Sequence, residues 1–107
     1  LMLERGRPAE GEPLLRTALD GFRRFGKHTQ ALTLAADLGA ALYAGGRKLE
    51  AEALLREAWE GRRAQLGEDH LRTLSSAHNL GVLLLDLRRP VEALPLLESA
   101  WDGRGNK

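Results

Sequence analysis

Residues 50–62 read EAEALLREAWEGR and residues 92–104 read EALPLLESAWDGR. Laid over one another at a shift of 42, they match Glu50-Ala51 with Glu92-Ala93, Leu54-Leu55 with Leu96-Leu97, and Ala58-Trp59 with Ala100-Trp101. The same shift carries Leu38-Gly39 onto Leu80-Gly81, Gly61-Arg62 onto Gly103-Arg104 and His28 onto His70. The N-terminal part joins the series at a shift of 40. There Leu14-Leu15 falls on Leu54-Leu55, Ala18 on Ala58, Gly21 on Gly61, and Gly6-Arg7 on Gly46-Arg47. The two-residue deficit lies in FGKH (25–28) against LGEDH (66–70), a connecting segment where a change of length costs little. Matches at fixed spacing identify an array of copied supersecondary units. Residues 1–27 hold a partial first unit, 28–69 a second, and 70–107 a truncated third.

Each unit reads as two helices. In TQALTLAADLGAALYAGG (29–46), Leu34, Leu38, Ala41 and Leu42 recur at the three-and-four spacing of one helical face. Gly45-Gly46 ends that helix, because glycine enters the left-handed cap conformation without a steric cost. A second helix starts near Lys48 and gathers Ala51, Leu54, Leu55, Ala58 and Trp59 on one side. Pro90 and Pro8 occupy equivalent first-turn places, where a missing N–H would have no partner anyway. Pro13 and Pro95 fall inside their helices and each delete one backbone bond, which predicts a bend in the first and third units. Ala53 holds that place in the second. The apolar face continues past both prolines, so no break is expected. Gly21, Gly61 and Gly103 lie late in the second helices, each at a cost of about 1 kcal/mol relative to alanine.

Composition narrows the function. With 107 residues there is material for one small domain. Sixteen basic against fifteen acidic side chains, evenly spread, provide no field to hold nucleic acid or an anionic membrane. The chain has no cysteine, hence no disulfide and no thiolate metal site. Its apolar runs, such as GVLLLDL (81–87), fall far short of a membrane span. The opening LML (1–3) reads as the last turn of a helix, as in a chain cut from something longer.

The repeated residues resemble a tetratricopeptide repeat. The second unit shows Leu38-Gly39-x2-Leu42, then Ala51-x3-Leu55 and Ala58; the third shows Leu80-Gly81-x2-Leu84, then Ala93-x3-Leu97 and Ala100. The first keeps Gly11-x3-Leu15 and Ala18. Ala35 and Ala77 stand where the family pattern has tryptophan, and leucines replace its Tyr and Phe. The 42-residue period and the connector LGEDHLRTL (66–74) are similar to the kinesin-light-chain type of repeat, with Leu71-Arg72 in place of Pro-Asp. The resemblance implies an all-α, right-handed solenoid of antiparallel helix pairs, about two and a half units long. Small residues at Gly39, Gly81, Ala51, Ala93, Ala58 and Ala100 suit close helix approach, with Leu55, Leu97, Trp59 and Trp101 expected to fill the space between units.

A search for chemistry returns little. His28 and His70 are repeat equivalents at helix entries. His70 and His78 are roughly 12 Å apart along a helix, too far to share a metal. Ser75, Ser76 and His78 lack the G-x-S-x-G turn and the acid that a nucleophile would need. The glycines of GRPAEGEP (6–13) and AGGRKLEA (44–51) do not have phosphate-loop spacing. No catalytic residue, metal site or cofactor is expected. Helical arrays can read RNA base by base, but that requires a basic surface and recurrent polar contacts that are missing here.

What remains is a protein–protein role, with a protein or peptide as partner. In the resembling family, particular first-helix positions line a concave surface. Carried onto this chain they are Thr33, Ala36, Ala40, Tyr43 and Ala44 in the second unit, and Ser75, His78, Val82, Leu85 and Asp86 in the third. Asp37 and Asn79 match the position where the family often has asparagine. The lysine-and-asparagine set that clamps a carboxylate terminus in some relatives is absent. The alternative is a structural subunit buried permanently in a larger assembly. An apolar end around Leu94, Leu97 and Trp101, open to end-to-end association, is expected under either reading.

Overall fold

The computed structural model describes the backbone of residues 8–105 and the side chains of residues 12–101. Within it five helices follow one another: α1 (Pro8–Arg24), α2 (His28–Ala44), α3 (Lys48–Leu66), α4 (Leu71–Asp86) and α5 (Pro90–Gly105). Each packs on the next, and α2 also touches α4. The result is an all-α helical-repeat solenoid with no strand among the described residues. The LML stretch and Gly6-Arg7 lie outside the described residues.

The core follows the small-residue logic of the repeat. Ala35, Leu38 and Leu42 of α2 meet Ala51, Leu55 and Ala58 of α3, all essentially out of solvent, and Ala77, Leu80 and Leu84 of α4 meet Ala93, Leu96 and Ala100 of α5. Gly39 and Gly81 lie at the tightest points. A methyl group on Gly39 would come within 2.9 Å of Leu55, and one on Gly81 within 2.7 Å of Leu97. Gly61 likewise leaves room for Leu32 of α2, which accounts for a glycine late in α3. Gly21 has open space around it, and nothing in the structure explains its presence.

Three helix ends close in the same way. The backbone N–H of Lys27 donates to Phe22 O, that of Arg47 to Leu42 O at 2.9 Å, and that of Arg89 to Leu84 O at 2.9 Å. The residue before each has positive φ: Gly26 at 72°, Gly46 at 85° and Arg88 at 60°. This six-to-one closure satisfies carbonyls that the helix leaves orphaned. Arg88 performs with a full side chain what Gly46 performs without one. At the other ends, His70 caps α4 by accepting the Arg72 N–H on Nδ1 at 3.0 Å. His28 is instead the first residue of α2, whose cap Lys27 makes no side-chain bond. Helices α1 and α5 run on through Pro13 and Pro95.

A charged clasp recurs at both junctions between units. Glu12 of α1 accepts from Arg16 at 2.6 Å and from Arg47, which also holds Glu50. One unit later, Glu52 of α3 accepts from Arg56 at 3.0 Å and from Arg89 at 2.7 Å, and Arg89 also holds Glu92 at 2.5 Å. The next pair of equivalent positions, Leu94 and Glu98, breaks the pattern.

Of the two tryptophans expected to fill the space between units, only the first packs against the core. Trp59 is half-buried, packed against the core edge with the Arg63 guanidinium 4.6 Å from its ring centre. Trp101 is 79% exposed. The same residue on the same helical face differs because α4 lies along α3, whereas no described residue covers that side of α5. Leu94 is 52% exposed there too, so the expected apolar patch is present, while Leu97 is half-buried against the core.

Candidate functional site

On α2 the buried stripe is Ala31, Leu32, Ala35, Leu38, Gly39 and Leu42; on α4 it is Thr73, Leu74, Ser76, Ala77, Leu80, Gly81, Leu83 and Leu84. The residues between those stripes face outward. Thr33, Ala40 and Ala44 of α2 and His78, Asn79, Leu85 and Asp86 of α4 are exposed, and Ala36, Tyr43, Ser75 and Val82 are half-buried. None of the groove residues expected from the sequence belongs to the core.

Two of them are brought together. The Tyr43 hydroxyl donates to an Asp86 carboxylate oxygen, joining the C-terminal ends of α2 and α4. Lys48 Nζ lies 4.0 Å from the same carboxylate. The hydrogen bond to Asp86 is the main reason the Tyr43 phenol is pushed above its ordinary pKa. This contact was not legible in the sequence, because the partners lie 43 residues apart and the repeat equivalents of Tyr43 and Asp86 do not form a second such pair. His78 and Asn79 stand on the open surface of α4.

At the opposite ends of these helices lies a small cavity between α2, α3 and α4. Sequence reasoning missed it. It has room for about 30 Å³ and is bordered by Thr29 and Thr33, by Arg62 and Gln65, and by Arg72. Arg62 donates from Nη1 to Ser76 Oγ on α4 at 2.9 Å. Burial, with the charge of Arg72 beside it, pulls the Arg62 guanidinium below the usual arginine range, and Asp37 works in the other direction. The signal in the sequence was an irregularity. Arg62, Arg72 and Ser76 stand where the preceding unit has Phe22, Gln30 and Leu34, although Arg62 has a sequence counterpart in the next unit, Arg104.

Among the described residues, no group of histidine, cysteine and carboxylate side chains is placed to hold a metal ion. None of the described helices is long and apolar enough to cross a membrane.

Stacked helix pairs with an open surface along their first helices define a repeat scaffold. The family model described as tetratricopeptide repeat matches residues 1–64 and again residues 49–104, and the chain belongs to that family. Repeats of this family generally mediate protein–protein interaction. No curated protein matches the chain.

Proposed function

We propose that the chain is a non-catalytic protein–protein interaction module that takes a partner peptide or protein on the concave surface formed by α2 and α4. The observation that carries this reading is the state of the ten residues Thr33, Ala36, Ala40, Tyr43, Ser75, His78, Asn79, Val82, Leu85 and Asp86. All stay open or half-open to solvent on two neighbouring helices of an interaction-module fold. Ala36, Ala40, Val82 and Leu85 make a shallow apolar floor, while His78, Asn79 and Asp86 supply polar contacts at its edges. A ligand laid across such a surface buries apolar area, and a few polar groups set its orientation. The unit boundaries at residues 28 and 70 belong to the same reading, each unit contributing one helix to the surface.

The test is capture on immobilised protein, followed by mass spectrometry. His78→Ala with Val82→Gln is expected to lose the captured partner while the far-ultraviolet circular dichroism stays helical. Tyr43 is a poor probe, since its loss also unfastens α2 from α4. Capture that survives this double change but fails with Glu60→Lys and Glu98→Lys places binding on the outer face and removes the proposal.

A second reading has its own observation. Val91, Leu94 and Trp101 leave an apolar strip open along α5, as befits a subunit that associates end to end within a larger assembly. Sedimentation separates the two. Concentration-dependent association abolished by Trp101→Lys supports assembly, and a monomer at all concentrations removes it.

A further inference from the structure

Leu14, Ala18 and Gly21 form a stripe along α1 at helical spacing, and their counterparts are Leu54, Ala58 and Gly61 on α3, with Leu96 and Ala100 on α5. In the two later units the first helix of the same unit covers that stripe. Leu54 and Leu96 are 6% and 8% exposed, and Ala58 and Ala100 are buried. On α1 the stripe is open. Leu14 is 69% exposed, Ala18 and Gly21 are half-buried, and among the described residues nothing packs within 4 Å of a methyl group placed on Gly21.

The space beside the stripe differs in the same way. Where Arg62 and Gln65 of α3 face Thr29, Leu32 and Thr33 of α2, about 30 Å³ is left. The counterparts on α1, Phe22 and Phe25, border an apolar groove of about 400 Å³ together with Ala18, Gly21 and Lys27. Single exposed apolar residues are ordinary, but Leu14, Phe22 and Phe25 share one face of α1 with the stripe, and a contiguous apolar patch marks an interaction surface.

What fits such a face is written twice in the chain itself. Leu32 of α2 fills the gap at Gly61, and Gly39, seven residues on, makes room for Leu55. The two helices run antiparallel, so the leucine meets the later residue of α3 and the glycine the earlier one. Leu74 and Gly81 repeat the spacing on α4, with Gly81 against Leu97. α1 presents the matching pair, Gly21 to take a leucine and half-buried Leu15 to lie against a small residue. Glycine is a poor helix former, and room for a leucine from a facing helix is the role that its counterpart Gly61 displays.

We propose that this face of α1 binds an amphipathic helix of a partner protein, antiparallel to α1, with a leucine over Gly21 and a glycine or alanine seven residues later against Leu15. The contact continues the helix-on-helix packing of the array, and it is separate from the concave surface of α2 and α4. The exposed strip of α5 does not match it. Trp101 follows Leu94 by seven residues there, a bulky ring where the smallest side chain is needed, so α5 of a second copy is not the occupant.

The probe is a fluorescein-labelled peptide with the sequence of α2, HTQALTLAADLGAALYA (28–44), and its binding to the whole chain is followed by anisotropy. Saturable binding is expected. Peptides carrying Leu32→Glu or Gly39→Leu are each expected to bind about tenfold more weakly. Gly39→Leu also raises the helix propensity of the peptide, so its weaker binding reports the clash with Leu15 and not a loss of helix. On the chain, Gly21→Leu fills the gap where nothing surrounds it and is expected to weaken the unaltered peptide about tenfold, with a Tm no lower than that of the wild type. Absence of peptide binding overturns the proposal, and so does binding that is indifferent to Gly21→Leu. Val82→Gln with Leu85→Gln is expected to leave the peptide bound; its loss in that variant moves the site to the concave surface and overturns the proposal. Sedimentation of the chain alone tests the other occupant. Self-association abolished by Gly21→Leu makes the occupant a second copy and overturns the partner helix, whereas a sedimentation profile unchanged by Gly21→Leu supports it.

Discussion

Arg89, at the start of α5, reaches back to Glu52 on α3 with a hydrogen bond of 2.7 Å, spanning the junction between two units. Arg47 reaches Glu12 across the preceding junction in the same manner. Both carboxylates are largely shielded from solvent, at 11% side-chain exposure for Glu12 and 15% for Glu52. Arg16, then Arg47, hold the Glu12 carboxyl below the usual carboxylate range; Arg89 and Arg56 do the same for Glu52, and Arg89 for Glu92. These groups bind protons more weakly in the folded chain than in the unfolded one. Their stabilisation is therefore complete above the unfolded carboxylate pKa, near 4.5, and is lost as the pH falls through the lower folded values. Tm is expected to hold from neutral pH to about 5 and to decline below about 4.5. Glu12→Gln with Glu52→Gln should lower Tm at pH 7 and flatten that decline. A double variant whose acid profile matches the wild type would exclude the clasp as its cause.

Arg88 adopts the left-handed conformation that Gly46 holds one unit earlier. For a residue with a side chain this costs roughly 1–2 kcal/mol, against about 0.5–1 kcal/mol of extra entropy lost on ordering a glycine. Arg88→Gly is expected to stabilise the chain by about 0.5–1 kcal/mol, read as a rise in the urea midpoint. The reverse change, Gly46→Arg, should lower it. A fall with Arg88→Gly would show that the arginine side chain contributes something the backbone does not reveal.

Gly39 and Gly21 make a paired test of close approach. Alanine at position 39 gains helix propensity but overlaps Leu55, a core residue with little space to move, so a net loss of about 1–2 kcal/mol is expected. Alanine at position 21 meets nothing and should gain up to about 1 kcal/mol. Chemical denaturation of the two variants should give opposite signs.

Ala58, Ala93 and Ala40 separate the faces. Ala58→Leu and Ala93→Leu force bulk into sites with no solvent exposure and should cost about 1–3 kcal/mol or more. Ala40→Leu lies on the exposed side of α2 and should leave the thermal midpoint nearly unchanged. Equal losses at all three sites would mean the groove surface of α2 has been assigned to the wrong side.

The reach of the sequence follows from what repetition can encode. A unit copied at intervals of 40 and 42 residues carries its own helix stops, its small residues at helix crossings and its apolar stripe. Helix pairs, the buried alanines and the tight places at Gly39 and Gly81 could therefore be read by laying the chain on itself. The choice of Thr33, Ala40, His78 and Asn79 came from the resemblance to the repeat family, and all four are exposed on α2 and α4.

Contacts that do not repeat were invisible to that comparison. Trp59 and Trp101 occupy equivalent positions in similar local sequence, yet the first packs against the core under Arg63 and the second is open, because burial depends on what lies alongside a helix and not on the helix. The Tyr43–Asp86 bond and the Arg62–Ser76 bond join different helices, and the preceding or following unit has Leu85, Ala44 and Leu34 at the places of Tyr43, Asp86 and Ser76. Local periodicity determined the elements and their apolar faces, since helix geometry converts spacing directly into sidedness. Tertiary packing alone decided which charges met a carboxylate across a junction, as Arg47 and Arg89 do, and which met a hydroxyl, as Arg62 does, because pairing depends on distances between helices that no local pattern contains.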